Sequence, residues 1–195
     1  MAGADYALSK NLTLSYQYGE LENIYRQQYL GLVHSLPLGS GTLKTDVRYY
    51  LSNDVGNAGA GKVDNRTLNA LVAYSLGGYG VGLGYQGLSG STAMPYIVGT
   101  DAYLTNYMMA NDFMERDERS WQLRYTYDFA VFGVPGLTFS TRYTKADHAN
   151  PATVAGEGRE WERDTDIGYP CLHGHALACA GLLREESQVS GFCVE

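Results

Sequence analysis

Cysteine is missing from almost the whole of this sequence. Residues 1–169 contain none. All three cysteines and two of the four histidines come later, at Cys171, His173, His175, Cys179 and Cys193. A body without cysteine suits an exported β-structure, and the abrupt change in composition indicates that the tail is a different kind of sequence.

Long apolar runs and an excess of basic residues are also missing. No stretch approaches the roughly 18 consecutive apolar residues of a transmembrane helix. Hydropathy alone would therefore indicate a soluble protein, but transmembrane β-strands alternate apolar and polar residues, so that each window averages to neutral. The 14 Lys and Arg against 21 Asp and Glu give a net charge of -7. This balance argues against a nucleic-acid partner, which selects a basic surface.

The sequence is rich in glycine, in tyrosine and in segments of period-two alternation. It has 24 Gly and 17 Tyr, against 5 Phe and 2 Trp. Apolar and polar residues alternate in residues 12–18, 43–52, 68–76, 79–86, 121–129 and 137–144. Such alternation places one face of a strand in an apolar medium and the other in water. The segment from Tyr25 to Leu36 is strand-like, but its phase is not fixed by the pattern.

The connections between these segments alternate in length. Short turns are expected at residues 9–11, 37–41, 77–78 and 131–136, and longer connections around Leu21 and at residues 53–63, 89–117 and 147–159. Strict alternation of this kind indicates an all-β, antiparallel up-and-down transmembrane β-barrel, with tight periplasmic turns and longer extracellular loops. Tyrosine and tryptophan near the strand ends fit the aromatic girdles of such barrels. A soluble β-sandwich shares the alternation and stays open as an alternative.

Several runs of the sequence resemble the OprD family of outer-membrane porins. They are residues 11–22, 61–66, 118–125, 133–139 and 158–169, and the resemblance as a whole covers residues 3–169. It implies a monomeric barrel of eighteen strands in the bacterial outer membrane. It also implies passive diffusion of small carboxylate-bearing nutrients, basic amino acids among them, and of carbapenem antibiotics.

Two departures from the family suggest a partial barrel. The family's N-terminal half, with the inward loop that narrows its pore, is absent, and the pattern stops after Tyr169. The N-terminus also has neither the basic nor the apolar region of a signal peptide, which an outer-membrane protein requires. We therefore expect residues 1–169 to be a barrel segment of about eight strands plus a stub at Ala4–Leu8. Residues 170–195 are expected to be a disordered, non-native tail produced by a reading-frame shift.

Charged side chains opposite the apolar strand faces are predicted to line the channel. The reverse phase would place Lys44, Arg48, Arg124 and Arg142 against lipid, at a cost of roughly 2–4 kcal/mol each near the midplane. The resemblance implies that these cations form a ladder that guides a substrate's carboxylate. The alternative is a polar interior in which each arginine satisfies a neighbouring carboxylate. The predicted channel-lining residues are Lys44, Asp46, Arg48, Arg124, Asp128, Arg142, Asp164 and Asp166.

Two glutamates, three glycines and one long loop also have expected roles in or near the channel. Glu160 and Glu162 are expected to be solvated at the mouth of the barrel. The glycines at positions 80, 82 and 84 leave free volume on the polar side, either as room for arginine side chains or to permit strand coiling. The loop over residues 89–117 is apolar enough to fold over the mouth or into the barrel, where it could gate the channel. Within it, Asp101 is expected to cap a short helix that runs through Met109.

No catalytic, cofactor or metal site is predicted. The cluster from Cys171 to Cys179 holds the residue types that bind zinc, but not the spacing of a finger or knuckle. His148 has no evident serine partner for hydrolysis. The sequence therefore predicts part of a substrate-selective porin, embedded in outer-membrane lipid and neither an enzyme nor dependent on a cofactor. A soluble carbohydrate-binding β-sandwich and an outer-membrane barrel enzyme remain the alternatives.

Overall fold

The protein forms one antiparallel β-sheet in which sequence neighbours are also sheet neighbours. The computed structural model describes residues 1–97, 102–151, 156–170 and 178–186; residues 170 and 178–186 are described by their backbone alone. The strands are β1 (Ala2–Ser9), β2 (Leu12–Leu21), β3 (Tyr25–Leu38), β4 (Gly41–Asp54), β5 (Asp64–Leu76), β6 (Tyr79–Gly90), β7 (Arg119–Asp128), β8 (Thr138–Ala149), β9 (Gly158–Pro170) and β10 (Ala178–Glu186). The sheet order runs from β1 to β10 without a crossover. The predicted all-β, up-and-down antiparallel architecture is confirmed.

Helical structure is minimal in the described residues. A single 3-10 turn, Phe129–Phe132, joins β7 to β8. No helix in this part of the chain is long and apolar enough to cross a membrane.

Strand pairing gives the sheet two chemically different faces, because residues directly opposite each other on neighbouring strands share a face. We call the face that carries Arg48, Arg124 and Arg142 the polar face, and the opposite one the apolar face. Large hydrophobic side chains are exposed across the apolar face, with Leu83 54% and Leu123 55% accessible. Such exposure is unusual for a water-soluble sheet and normal for one that faces lipid.

The register also settles the phase of β3. Tyr29 lies opposite Tyr50, and Gly31 lies opposite Arg48. These β3 residues therefore belong to the polar face, whereas Leu30 is on the apolar face and is exposed. The sequence pattern could not fix this phase because both faces of β3 mix polar and apolar residues.

The connections form two distinct ends of the sheet. The turn end consists of residues 10–11, 39–40, 77–78 and 129–137. The loop end consists of residues 22–24 and 55–63 and of the described residues of the connections 91–118 and 150–157. The expected strict alternation of lengths is wrong at two places. The turn-end connection over residues 129–137 is as long as the loop-end connection over residues 55–63, and the connection after Leu21 occupies only residues 22–24. There the Ile24 amide donates to the Leu21 carbonyl at 3.0 Å, and Asn23 adopts a positive φ of 57°, which asparagine tolerates in tight turns.

The described parts of the long connection, residues 91–97 and 102–118, pack against the polar face. A buried cluster joins strand residues to residues of this loop, and consists of Tyr29, Tyr50, Leu88, Met94, Ala102, Leu104 and Met114. The apolar side chains of the loop thus form a core between the loop and the sheet. The expected short helix is absent from residues 102–109, and Asp101, its expected cap, lies outside the described residues.

The C-terminal region differs from expectation over one stretch. Strand β10 pairs antiparallel with β9, and its register runs from Ala178 opposite Pro170 to Glu186 opposite Glu162. Residues 178–186 are therefore paired, although we expected the whole of residues 170–195 to be disordered. The division at residue 170 and the reading-frame shift stay predictions.

The sheet is open within the described strands, because no pairing joins β1 to β10. Each unpaired backbone group in hydrocarbon costs several kcal/mol, so an open edge is unfavourable in a membrane. A polypeptide of only these 195 residues, refolded in detergent, is expected to give no reproducible unitary conductance steps in a planar bilayer. A complete family porin refolded in the same way is the positive control. Steady unitary steps from the 195-residue polypeptide would contradict this expectation.

Candidate channel-lining site

The strand register places the predicted channel-lining residues on the polar face. Arg124 lies opposite Arg142, and Arg142 lies opposite Asp164. On the other side, Arg124 pairs through Gly82 and Ala73 to Lys44. From β4 to β9 this row therefore contains three cations and one carboxylate. Asp46, Arg48, Asp128 and Asp166 occupy the same face in neighbouring rows.

Arg48 is held by a carboxylate and by the long loop. Its Nε and Nη2 donate to the two carboxylate oxygens of Asp46 at 2.9 and 2.7 Å. Nη1 donates to the Tyr103 carbonyl at 2.8 Å, and the guanidinium lies 3.7 Å from the centre of the Tyr103 ring. The Tyr50 hydroxyl donates to the same carbonyl at 2.7 Å. A bidentate ion pair and ring stacking fix this guanidinium in one orientation.

Arg124 and Arg142 complete a cavity with Arg48. Arg124 donates to the Gln122 side chain and to the Thr105 carbonyl of the loop. Arg142 pairs with Asp164 at 3.1 Å and is 38% exposed. The three guanidiniums line a cavity of about 430 Å³. Its remaining walls are Leu71 and the loop residues Leu104, Thr105, Tyr107, Met108 and Met109.

The other predicted residues lie apart from this cavity. Lys44 is exposed nearer the turn end, and Asp166 is half-buried on β9. Asp128 is exposed, and its carboxylate accepts a hydrogen bond from the Ala130 amide at 2.9 Å. It therefore caps the 3-10 turn. The cavity and its ion pairs bring together Asp46, Arg48, Arg124, Arg142 and Asp164, and do not include Lys44, Asp128 or Asp166.

Sequence reasoning missed a set of uncharged polar residues that hold the loop in place. The Asn69 Oδ1 accepts from the Thr105 amide at 2.9 Å, and the Gln86 Oε1 accepts from the Asn106 amide at 3.2 Å. The Asn106 side chain donates to the Ser120 hydroxyl at 2.8 Å. Such side chains satisfy the buried backbone of a segment without regular structure. The available signal was a row of neutral amides and hydroxyls on a face that otherwise carries charge.

Glu162 was expected to be solvated, and this expectation is wrong. It is fully buried. Its carboxylate accepts from the Asn111 amide at 2.7 Å and from the Ala110 amide at 2.9 Å. The turn that contains these amides is closed by the Met108 amide, which donates to the Asn111 carbonyl at 3.2 Å. Through these hydrogen bonds Glu162 holds the turn at residues 108–111 against β9. Met108 and Met109, which line the cavity, belong to this turn.

A second buried carboxyl lies at the base of the loop. Glu118 is fully buried and accepts from the Glu115 amide at 2.8 Å. Burial raises the pKa of Glu118, and the neighbouring Glu160 carboxyl raises it further. The pair therefore retains a proton at a pH where exposed glutamates have lost theirs. Glu160 is half-buried, so the expectation that it is solvated at the mouth is also wrong.

One of the three glycines on the polar face makes room for the loop. A Cβ atom at Gly84 would lie 2.9 Å from the Asn106 Oδ1 and 3.1 Å from a methyl group of Thr105. At Gly82 the same atom would be 3.5 Å from the Cβ of Arg124, an ordinary contact. The free volume at position 84 is thus occupied by the loop rather than by an arginine.

The described residues contain no group of three or more His, Cys, Asp or Glu placed to hold a metal ion. The side chains from Cys171 to Cys179 lie outside the described part of the chain.

These features define the class of protein. A single up-and-down antiparallel sheet, with an apolar face and a charged face covered by a long loop, is a segment of an outer-membrane β-barrel. A family model described as "outer membrane porin, OprD family" matches residues 1–191. The chain belongs to the OprD family, and its location is the bacterial outer membrane. The match runs past Tyr169, where the sequence alone suggested that the family's pattern ends.

Known relatives are porins that are longer than this chain. Porin D of Pseudomonas aeruginosa is 39% identical over 177 residues, covering 86% of this chain and 38% of that protein. The porin-like protein GalP of Pseudomonas putida is 32% identical over 189 residues, covering 96% and 45% respectively. The crystal structure of OccK10 (OpdN) of P. aeruginosa is 45% identical with a TM-score of 0.87, covering 93% of this chain and 51% of that one. The crystal structure of OpdQ of P. aeruginosa is 49% identical with a TM-score of 0.85, covering 92% of this chain and 48% of that one. The chain spans about half the length of these solved structures.

Loss of the Glu162 charge is expected to release the turn at residues 108–111. In Glu162→Gln, one amide group replaces a carboxylate that accepts from two backbone amides. Hydrogen bonds to charged groups contribute about 1.5–3 kcal/mol, so amide exchange at Ala110 and Asn111 should accelerate roughly ten- to hundredfold. Hydrogen–deuterium exchange in a family barrel carrying this segment measures the effect.

The matched control is Asp166→Asn, which removes one negative charge from the same face of β9 without touching the loop. Equal acceleration of exchange in both variants would show that the total negative charge on this face of β9, rather than the Glu162 contact, holds the turn.

Proposed function

We propose that this chain forms part of the wall of a substrate-selective outer-membrane channel for passive diffusion of small carboxylate-bearing molecules. In this proposal the polar face lines the water-filled lumen and the apolar face contacts lipid. The observation that carries the proposal is the convergence of Arg48, Arg124 and Arg142 on one cavity beneath the loop. Guanidinium groups bind carboxylates through two parallel hydrogen bonds, and the low dielectric of the cavity walls strengthens the electrostatic attraction between the two groups.

The arginines differ in how readily they could receive a solute. Arg48 and Arg124 already donate to the loop carbonyls of Tyr103 and Thr105. Arg142 makes an ion pair with Asp164, and its side chain is 38% exposed, against 15% for Arg48. A carboxylate passing through the cavity competes with these acceptors for the guanidinium groups. Each binding step is then shallow enough to permit release, as conduction requires.

Carboxylates on the same face extend the proposal to basic amino acids. Asp46 and Asp164 are buried beside Arg48 and Arg142 respectively. A solute with one carboxylate and two cationic groups could meet charges of the opposite sign on this wall. Carbapenems, which also carry a carboxylate, fit the same scheme. The whole channel is proposed to be a monomer without catalytic activity, in keeping with relatives that are porins.

Neither alternative function is favoured by a specific observation. A soluble carbohydrate-binding sandwich would cover its apolar sheet face with a second sheet, whereas Leu83, Trp121 and Leu123 are all exposed here. An outer-membrane barrel enzyme of the hydrolase type would require an activated nucleophile or a metal near the cavity. The described lining consists of arginines, leucines, methionines, Thr105 and Tyr107, a set without the histidine and carboxylate of a hydrolytic triad.

Cysteine accessibility tests the orientation of the sheet. In a complete barrel carrying this segment, cysteine at position 48, 124 or 142 is expected to react with a membrane-impermeant thiol reagent, because these positions face water. Natural cysteines do not interfere, since residues 1–169 have none and the three in the tail can be replaced by serine.

Cysteine at the adjacent Tyr49, Tyr125 or Tyr143 is the matched control, because these side chains lie on the opposite face. They are expected to resist the aqueous reagent and to react with a lipid-soluble one. The reverse pattern, with protected arginine positions and aqueous labelling of the tyrosine positions, would overturn the proposal.

A further inference from the structure

A second cavity lies on the polar face, beside the cavity of the three arginines. It has a volume of about 390 Å³, and its walls include Tyr29, Tyr50 and Tyr103 together with Gln17 and Gln27. We call it the tyrosine cavity, and the one that contains the guanidinium groups the arginine cavity. Among the described residues that line the tyrosine cavity, no side chain is charged at neutral pH.

The tyrosine cavity lies nearer to the loop end of the sheet than Arg48 does. Tyr29 is opposite Tyr50, and the next row toward the turn end pairs Gly31 with Arg48. A solute that enters from the loop end therefore passes the tyrosine row before it reaches the row of Arg48.

Tyr103 stands at the boundary between the two cavities. Its carbonyl accepts from the Arg48 Nη1 at 2.8 Å and from the Tyr50 hydroxyl at 2.7 Å, and the Arg48 guanidinium lies 3.7 Å from the centre of its ring. These contacts hold a positive φ of 54°, a conformation that residues other than glycine rarely adopt. Tyr103 is nevertheless 49% exposed. Its ring is therefore fixed in place and still accessible from the tyrosine cavity.

The two glutamines supply polar groups of both kinds. Gln27 donates to the Ser52 hydroxyl at 3.0 Å and to the Pro95 carbonyl at 3.4 Å, so its amide is held against the wall. Gln17 lies opposite Tyr29 and is exposed. A glutamine amide both donates and accepts hydrogen bonds, as does a hydroxyl group.

This combination of groups favours a neutral solute over an anion. A carboxylate in the tyrosine cavity would lose water without gaining an opposite charge, because the nearby Arg48 already pairs with Asp46 at 2.7 Å. A sugar ring carries C–H groups on its faces, which are attracted to the negative face of an aromatic ring. The hydroxyl groups at the edge of a sugar match the amide of Gln17.

We propose that the tyrosine cavity binds neutral, hydroxyl-rich solutes, of which a monosaccharide is the simplest, as a site separate from the arginine cavity. The sugar ring stacks on Tyr103, and its hydroxyl groups exchange hydrogen bonds with Gln17. This inference rests on the proposed function, in which the polar face lines the water-filled lumen.

Block of the ionic current by D-glucose tests the site in planar bilayers that contain a complete barrel carrying this segment. Glucose is expected to reduce the unitary current saturably. Gly19→Leu fills the cavity without strain, since a Cβ atom there would meet only the Met1 side chain, at 3.5 Å. Tyr103→Asn removes the ring but tolerates the positive φ. Each variant is expected to weaken glucose block about fivefold.

The matched control is Thr13→Leu, which adds a leucine to the same face of β2 outside the tyrosine cavity and is expected to leave glucose block unchanged. A current that falls only linearly with glucose concentration, as viscosity alone requires, would overturn the proposal. Equal weakening in Thr13→Leu, or unchanged block in both cavity variants, would also overturn it.

Block by butyrate, a carboxylate without hydroxyl groups, separates this proposal from the proposed function. Gly19→Leu is expected to leave butyrate block unchanged, because the arginine cavity is intact. Butyrate block without glucose block would overturn only the tyrosine site. Glucose block without butyrate block would support the tyrosine site and contradict the proposed selection of carboxylates.

Discussion

The constraint on which this structure depends is that a strand crossing a membrane must satisfy its backbone entirely through its neighbours while it separates two media. Sequential antiparallel pairing from β1 to β10 meets the first requirement inside the sheet. Alternation of side chains meets the second, most clearly in β4, β7 and β8, where apolar residues lie on one face and charged or amide residues on the other. The remaining features of the chain are arranged on one or the other of these faces.

The polar face depends in turn on the loop over residues 91–118. Buried arginines need acceptors, and a buried irregular loop needs partners for its backbone. Each satisfies the other here, because carbonyls of Tyr103 and Thr105 accept from Arg48 and Arg124 and Glu162 accepts from amides of the loop. The loop and the charged wall are therefore a single polar network rather than a lid above independent sites.

The sequence predicted well those features that follow from the alternation of apolar and polar residues along a strand. The faces of β4, β7 and β8 could be predicted because each alternates cleanly, and the register then brings Arg124, Arg142 and Asp164 into one row. It was a poor guide to long-range contacts. Nothing local distinguishes a glutamate that accepts loop amides from one that is solvated, so Glu162 was misjudged. Asp128 stays a predicted channel residue, and its role as the cap of the 3-10 turn was not foreseen, because a turn cap and a lining residue have the same phase at a strand end.

The central claim is that the docked loop, through its contacts with the polar face, narrows the water-filled path beside the arginines. The most direct measurement is unitary conductance of a complete barrel in which residues 102–112 are replaced by a short glycine–serine linker, with the base of the loop retained. The account predicts a larger conductance and a weaker preference for anions, because the walls supplied by Leu104, Met108 and Met109 are gone. Unchanged conductance and selectivity would contradict it.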